Sequence, residues 1–480
     1  MTGGEAGIGR RDPAPQEPGE TIIGNTRELL GHGLTELRRV VLDVVTAGLR
    51  AADPGLAVDR LVEVDGAVLR AGGRRFDLGQ ARSVVLLGAG KASLAIAAAL
   101  ERKLGGRIDG GLIVSHQPVK HELRQVEVVQ ADHPVPSLAS LEAARRLNAL
   151  ADGLRPGDLL ITAFTGGSSA LACLPPDGVP FAAKQHLHEL LLDSGASISE
   201  INSVRKHVSA IKGGRLAARA AGAVILNLTV SDVVGDQVDL LCDPAVQDTS
   251  TTSAAIATLR RYGLWPEVSP EIREHLSSGE SESPGLADRD ITTVVLIAGA
   301  GVISRMEDCV RALGWRPAVL GSQIEGEAAG LGAFLGTLAA ESSAQGRPFS
   351  PGTMLLAAGG EATVTVRRAA AGATAGVGHG GPNQEMAVAF ARAAARPAAM
   401  VAGAFVDSDG SDGGTEAAGG CVDSTTAPRA EQIAVCLDDA IADHDSGSAL
   451  SRLGDQIRTG PTGTNVSDLW AIAIAQGGTP

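Results

Sequence analysis

The stretch Ser83–Leu104, SVVLLGAGKASLAIAAALERKL, decides the fold. Ser83–Leu87 is a short β-branched run that reads as a strand. Gly88–Gly90 makes a tight turn, and the alanine-rich segment Lys91–Leu104 continues as a helix. Working outward, Gly111–Ser115, Gln125–Val129, Asp158–Ala163 and Val224–Val230 read as further strands. Leu138–Leu154, Lys184–Asp193 and Ile198–Ala220 read as helices. Upstream, Leu29, Leu30, Leu34, Leu37, Val41 and Val44 recur at helical spacing and predict an amphipathic helix over Thr26–Ala52. Strands alternating with helices imply a mainly parallel sheet covered on both faces, with ligands beyond the carboxyl ends of its strands.

The chain continues in the same style after Ser278–Asp290, a polar Gly/Pro-bearing stretch that reads as a domain boundary. Ile291–Ile297, Pro317–Leu320, Met354–Ala358, Ala362–Arg367 and Ala398–Ala404 read as strands, with a helix over Ser304–Leu313. The resulting division is a polar, disordered tail over 1–25, a first domain over 26–285 and a second over 286–480 with a returning tail.

Composition narrows the function. A net charge of −14 argues against a broad nucleic-acid surface. Aromatics are 2% of the chain, so the cores are built from Ala, Val, Leu and Ile. The five cysteines are odd in number and form no CxxC pair, which supports neither a zinc site nor a disulfide framework. The N-terminus has no apolar signal region, and no segment offers an uninterrupted apolar span. A cytoplasmic protein with no membrane partner is the expectation.

Glycine- and acid-rich turns carry the chemistry. Gly88, Gly90 and Lys91 place an ammonium group and helix-start amides after a buried strand, a setting for an anion. Thr165, Gly166, Gly167 and Ser168 form a second such turn. Asn202, Arg205, Lys206 and Ser209 share one helical face by spacing. Asp232 and Asp236 follow the strand Val224–Val230, placed to orient a hydroxyl or a metal. Glu361, Asn383, Glu385, Asp407, Asp409 and Asp412 form a larger oxygen-rich group suited to Mg²⁺. The run Asp407–Asp412 lacks EF-hand spacing. The pairs His116/His121 and His186/His188 read as surface residues. Only six lysines occur, so Lys91, Lys206 and Lys212, all inside motifs, draw notice.

In order along the chain stand GAGKA (88–92), DHPVP (132–136), TGGSSAL (165–171), NSVRKHVSAIKGG (202–214), SDVVGD (231–236), EGEA (325–328), GGEATV (359–364), GHGGPNQE (378–385), DSDGSDGGT (407–415) and GPTGTNVSD (460–468). This set resembles the glycerate 2-kinase family with a C-terminal MOFRL domain. The resemblance implies ATP-dependent, Mg²⁺-assisted phosphorylation of D-glycerate at its 2-hydroxyl. It also implies a Rossmann-like parallel-sheet N-terminal domain and a smaller α/β C-terminal domain, with the active site in the cleft between. By motif matching, Lys91, Asp232, Asp236 and His379 are the expected catalytic residues. Gly88, Gly90, Thr165, Gly166, Gly167, Ser168, Asn202, Arg205, Lys206, Gly359, Glu361, Gly380, Gly381, Asn383, Glu385, Asp409, Gly410, Thr464 and Asn465 are the expected substrate and nucleotide contacts. Asp236, Glu361, Asp409 and Asp412 are the expected metal ligands. The partner is a small hydroxy acid, with a homodimer left open.

The chain departs from the family pattern at three places. Pro382 stands where an arginine is common, Cys242-Asp243-Pro244-Ala245 replaces an SGPT-like turn, and Ser408 replaces a threonine. A kinase for another small hydroxy or sugar acid is therefore an alternative, as is a nucleotide-binding regulator with reduced catalysis. An NAD(P)H-linked reductase lacks its dinucleotide fingerprint here.

Overall fold

The computed structural model describes residues 22–116, 123–192, 194–220, 222–231, 238–365 and 378–477. A small antiparallel meander, β1 (Glu63–Asp65), β2 (Val68–Ala71) and β3 (Arg74–Asp77), precedes the first large sheet. That sheet contains β4 (Val84–Ala89), β5 (Gly110–Ser115), β6 (Glu127–Gln130), β7 (Leu159–Phe164), β8 (Val224–Val230) and β9 (Ile291–Ile297). Its order is β6-β5-β4-β7-β8-β9 and every pair is parallel. Strand β7 is buried at every position because helices cover both faces.

The second large sheet is mixed. It contains β10 (Arg316–Gly321), β12 (Thr353–Ala358), β14 (Val401–Asp407), β15 (Gly419–Asp423), β16 (Gln456–Ile457) and β17 (Asp468–Ile474), in the order β10-β12-β17-β14-β15-β16. The short strands β11 (Glu325–Glu327) and β13 (Glu361–Thr363) pair in parallel beside it. Strand β17 returns antiparallel between β12 and β14, so its first residues lie where those two strands end, with Asp468 opposite Asp407.

Two sequence expectations are corrected here. Ile291–Ile297, taken as the start of the second domain, pairs in parallel with β8 as the sixth strand of the first sheet. Its backbone partner is that sheet's open edge, which periodicity does not encode. The amphipathic helix over Thr26–Ala52 is two helices, Thr26–Leu29 and Thr35–Ala51, and the longer one packs on β14 and β17 of the second sheet. Its buried stripe of Leu37, Val41, Val44, Val45 and Leu49 joins Leu226, Leu356, Ala404 and Leu469 in one apolar cluster reaching both sheets. Of the tail expected over 1–25, residues 1–21 lie outside the described residues. Ile23 is buried, and the Asn25 side chain donates to the Gln456 carbonyl at 2.8 Å.

Helix Thr35–Ala51 also buries an arginine. Arg38 is fully enclosed, donating through Nε to Asp423 and through Nη1 to Asp455 Oδ1 at 2.8 Å. Asp455 in turn accepts from Arg429 at 2.6 Å and contacts His32 at 2.7 Å. This ion network fastens the N-terminal helix to the far edge of the second sheet.

Candidate active site

The turn after β4 is shaped by steric necessity. A Cβ on Gly88 would overlap the Ala163 carbonyl, and one on Gly90 would overlap Thr165. Gly90 also adopts φ 141°, which favours glycine. The turn is locked to its neighbour after β7: Lys91 N donates to the Gly166 carbonyl at 2.8 Å, and Ala92 N to Thr165 Oγ1 at 3.1 Å. The helix-start amides expected to cradle phosphate are thus engaged with protein. What the turn presents is the Lys91 ammonium.

Lys91 Nζ lies 2.6 Å from Asp409 Oδ2, a residue of the loop that follows β14. The contact joins the carboxyl end of a strand in the first sheet to one in the second. Two cavities meet at Lys91. The smaller, about 240 Å³, is walled by the Thr165–Ala170 turn, Asn202, Arg205, Cys242, Asp243 and Asn465. The larger, about 790 Å³, is walled by Asp409, Gly410, Ser411, the Gly414–Glu416 segment, Gly460 and Thr464. Lys91, His133 and Pro134 border both. Thr464 is buried, and its Oγ1 has no partner among the described residues.

Electrostatics differ between the two sides. Behind Asp409, the carboxyl of Asp407 accepts from Asp409 N at 3.0 Å. Burial, then the charge of Asp409, raises its pKa well above the usual carboxylate range. Asp468 accepts from Ala362 N at 2.8 Å and from Asn383 Nδ2 at 2.6 Å, yet burial pushes it up to about 8. The wall of the smaller cavity is cationic through Lys91 and Arg205. His188, expected at the surface, is buried beside it, with Nε2 3.0 Å from the Pro134 carbonyl. Burial first, then Arg205, pushes its pKa down to about 3, so the ring is neutral. Solvent still reaches His133, but packing in the cleft and then the charge of Lys91 lower its pKa as well. His133 stands inside the DHPVP motif, the signal that pointed to it; its neighbours in space were not visible in sequence.

The structure brings together Lys91, Thr165, Gly166, Gly167, Ser168, Asn202, Arg205, Asp409, Gly410, Thr464 and Asn465 around these cavities. The other described candidates lie elsewhere. Lys206 is buried away from both, 2.6 Å from Asp248 Oδ1 and 2.9 Å from the Asp239 carbonyl, because it faces inward from its helix. Ser209 follows that helix, which ends at His207. Asp412 is not placed with other metal ligands: its carboxylate accepts from Asn383 N at 3.0 Å and Gln384 N at 2.9 Å, capping the helix Pro382–Ala394. Gly381 is the N-cap residue of that helix, and Gly380 packs against Ser446. Asn383 accepts from Trp470 Nε1 at 3.1 Å, and Glu385 lies 2.9 Å from His444 Nδ1. Gly359 and Glu361 lie at the β12–β13 turn, off the walls of both cavities, with Glu361 exposed. His379 is exposed on a neighbouring recess with Arg452 and Arg458, across the Gly414–Glu416 segment from the larger cavity. Asp232 and Asp236 lie outside the described residues. Among the described residues no group of three or more His, Cys, Asp or Glu side chains is arranged to hold a metal, and no helix is long and apolar enough to cross a membrane.

A parallel sheet and a mixed sheet whose strand ends share a small-molecule cleft define a two-lobed α/β protein with a bipartite site. Residues 40–277 match a domain of unknown function, DUF4147, and residues 354–468 match the MOFRL family. The chain is 34% identical over 444 residues to "Glycerate 2-kinase" of Pyrococcus horikoshii, covering 92% of this chain and 97% of that protein. It is 34% identical over 440 residues to "Putative hydroxypyruvate reductase" of Agrobacterium vitis, covering 91% and 94%. The crystal structure of glycerate kinase from Thermotoga maritima superposes with a TM-score of 0.76 at 30% identity, covering 92% of this chain and all of that one. The chain belongs to the glycerate 2-kinase family with a C-terminal MOFRL part.

Proposed function

We propose that the protein is a kinase that transfers the γ-phosphoryl group of ATP to the 2-hydroxyl of D-glycerate. The observation that carries this reading is Lys91 at the junction of two cavities, ion-paired across the cleft to Asp409. The smaller, cation-walled cavity suits a three-carbon acid. The larger has a volume within the ~300–1,000 Å³ typical of small-molecule sites and suits a nucleotide.

In this reading the acid's hydroxyl oxygen attacks the γ-phosphorus. The new O–P bond forms as the bond to the β–γ bridging oxygen breaks, and ADP leaves. Lys91 stabilises the charge spread over the transferring phosphoryl oxygens. We keep Asp232 or Asp236 as the group that orients the attacking hydroxyl and takes its proton. Mg²⁺ ordinarily binds one or two carboxylates together with substrate phosphates. Asp409, at the cleft with the Asp407 carboxyl behind it and Lys91 beside it, would be the carboxylate that meets Mg²⁺. Mg²⁺ held there would neutralise phosphate charge.

The test incubates purified protein with ATP, Mg²⁺ and D-glycerate and follows ADP release, with phosphorus NMR locating the phosphate. Product carrying phosphate on the 2-oxygen supports the reading. Phosphate on another oxygen rejects the position, and turnover of another acid alone rejects the substrate. Oxidation of NAD(P)H by hydroxypyruvate without ATP turnover would replace the kinase with the reductase named for the Agrobacterium relative.

A further inference from the structure

Behind the wall of the smaller cavity lies a group of cations that the mechanism above does not use. Lys212 is 1% exposed, and its Nζ has no hydrogen-bond partner among the described residues. Lys184 is also buried, its Nζ donating to the Val208 carbonyl. Both border a gap of about 10 Å³ together with Ser169, His188 and Arg205. Those last three residues also line the smaller cavity, so the gap and the cavity share a wall. A space of this size is at the lower limit for one water molecule and does not admit a carboxylate.

Among the described residues no carboxylate pairs with Lys212. Asp243, the carboxylate at the cavity wall, is held by Asn227 Nδ2 at 3.1 Å and Ala245 N at 2.7 Å and makes no ion pair with Lys212. Burial raises its pKa and lowers that of Lys212 to about 8, which leaves the ammonium mostly charged at pH 7. Cys173 and Cys242, which would offset the Lys212 charge only as thiolates, are free thiols, while Lys184 and Arg205 add like charge. A buried ammonium without a hydrogen-bonded partner is costly, and a negative charge brought close to it is correspondingly favoured. In a low-dielectric interior that attraction carries through one layer of side chains.

Resting on the kinase reading, we propose that Lys212 is a positioning and selectivity residue. Its ammonium, set behind Ser169 and Arg205, makes the smaller cavity choose an acceptor that bears a carboxylate. It does so without touching the acceptor. Arg205 on the wall meets the carboxylate, and Lys212 supplies the field that favours it over an uncharged polyol.

The experiment uses the full chain as wild type, Lys212→Met, Lys212→Gln and Lys212→Arg. Thermal melts are recorded without nucleotide, with D-glycerate or with glycerol, and steady-state kinetics with ATP and Mg²⁺ follow. In wild type, D-glycerate raises Tm and glycerol does not. Lys212→Met melts at or above the wild-type temperature without ligand, because an unpaired buried charge has been removed. Its KM for D-glycerate rises by about tenfold, the order expected for two unit charges attracting through one layer of side chains, while kcat changes little. Lys212→Arg keeps most of the D-glycerate shift. A D-glycerate shift and KM within twofold of wild type in Met or Gln overturns the proposal. So does a large loss of Tm with unchanged affinity, the mark of a purely structural lysine. If Met and Gln do not fold, loss of the D-glycerate shift in a folded Arg variant overturns it as well. The melts need no turnover. Failure of the kinase reading alone leaves the D-glycerate shift in place, whereas no shift in wild type overturns the selectivity proposal itself.

Discussion

Replacing Arg38 by methionine removes the cation bonded to Asp423 while keeping the bulk of the helix contact. In the native chain both side chains are 0% exposed. Asp455 keeps Arg429 and His32, so the loss centres on Asp423. Asp423 is left with neutral donors only: Leu34 N at 3.0 Å, Thr425 N at 2.8 Å and Thr425 Oγ1 at 2.5 Å. Breaking one side of a buried ion pair costs about 3–5 kcal/mol, and these residual donors put the estimate at the low end, about 3 kcal/mol. For a cooperative unit of roughly 150–250 residues, 1 kcal/mol shifts Tm by about 2–4 °C, so the variant should melt about 6–12 °C lower at pH 7. The pH dependence has a definite sign. Burial raises the pKa values of Asp423 and Asp455, but their charged partners outweigh it and leave both below the ordinary carboxylate value. A depressed carboxylate stabilises the fold above its unfolded pKa of about 3.9, and that contribution is lost as pH falls through the folded value. Without Arg38, burial dominates at Asp423, which then takes up its proton at higher pH. The gap between variant and wild type therefore narrows as pH falls toward 4. The double variant Arg38→Met/Asp423→Asn should recover most of the loss, because no orphan charge remains. Calorimetry of the full chain decides it: a single variant within about 2 °C of wild type at pH 7, a difference below the ~3 kcal/mol at stake, would refute the reasoning.

Two further outcomes follow from the site. Asp412→Ala should lower Tm by several degrees, since it strips the helix Pro382–Ala394 of a cap worth about 1–2 kcal/mol and leaves buried amides unpaired, while any rise in Tm that Mg²⁺ gives should be the same in variant and wild type; a Mg²⁺-dependent rise present in wild type and lost in the variant would return Asp412 to the metal set. His379→Ala should leave kcat within about threefold, less than the ~100-fold attached to a residue acting on the transition state, because His379 lines a neighbouring recess that Lys91 does not border; a steady-state assay showing a larger loss would bring His379 back into the mechanism.

Much of the first sheet was readable because its strands are buried on both faces and appear as continuous apolar runs. Val224–Val230 matches its expected bounds outright. Sheet membership was not readable, and β9 shows why: an apolar run states that it is buried, not against which neighbour. Strand β15, GGCVD, was hidden by glycines that look like a turn. Gly419 is there because any Cβ would strike the Phe405 carbonyl of β14. Strand β17 lies in the middle of the second sheet, although its place at the end of the chain reads as a returning tail. In the site, Lys91 and the Thr165 turn stood out because strand ends of a parallel sheet collect ligands. The carboxylates were less readable. Acid-rich loops cap helices and hold turns as readily as they bind metal, and Asp412 and Glu385 are spent on such contacts. Helical spacing placed Arg205 and Lys206 near one another but could not say which would face the cavity and which the core. Lys212 lay in a quoted motif, yet its isolation from any hydrogen-bond partner is a property of the folded interior alone.

The central claim is that Lys91, at the meeting point of the two cavities, acts on the group transferred between them. The most direct test measures kcat for ATP-dependent phosphorylation of D-glycerate by wild type and Lys91→Ala, with Tm recorded for both. Removing a preorganised charge that acts in the transition state should lower kcat by about 10²–10³-fold or more. Lys91 and Asp409 are partly solvent-exposed, so loss of their pair should move Tm by little. Near-normal kcat in a folded Lys91→Ala protein would contradict the account.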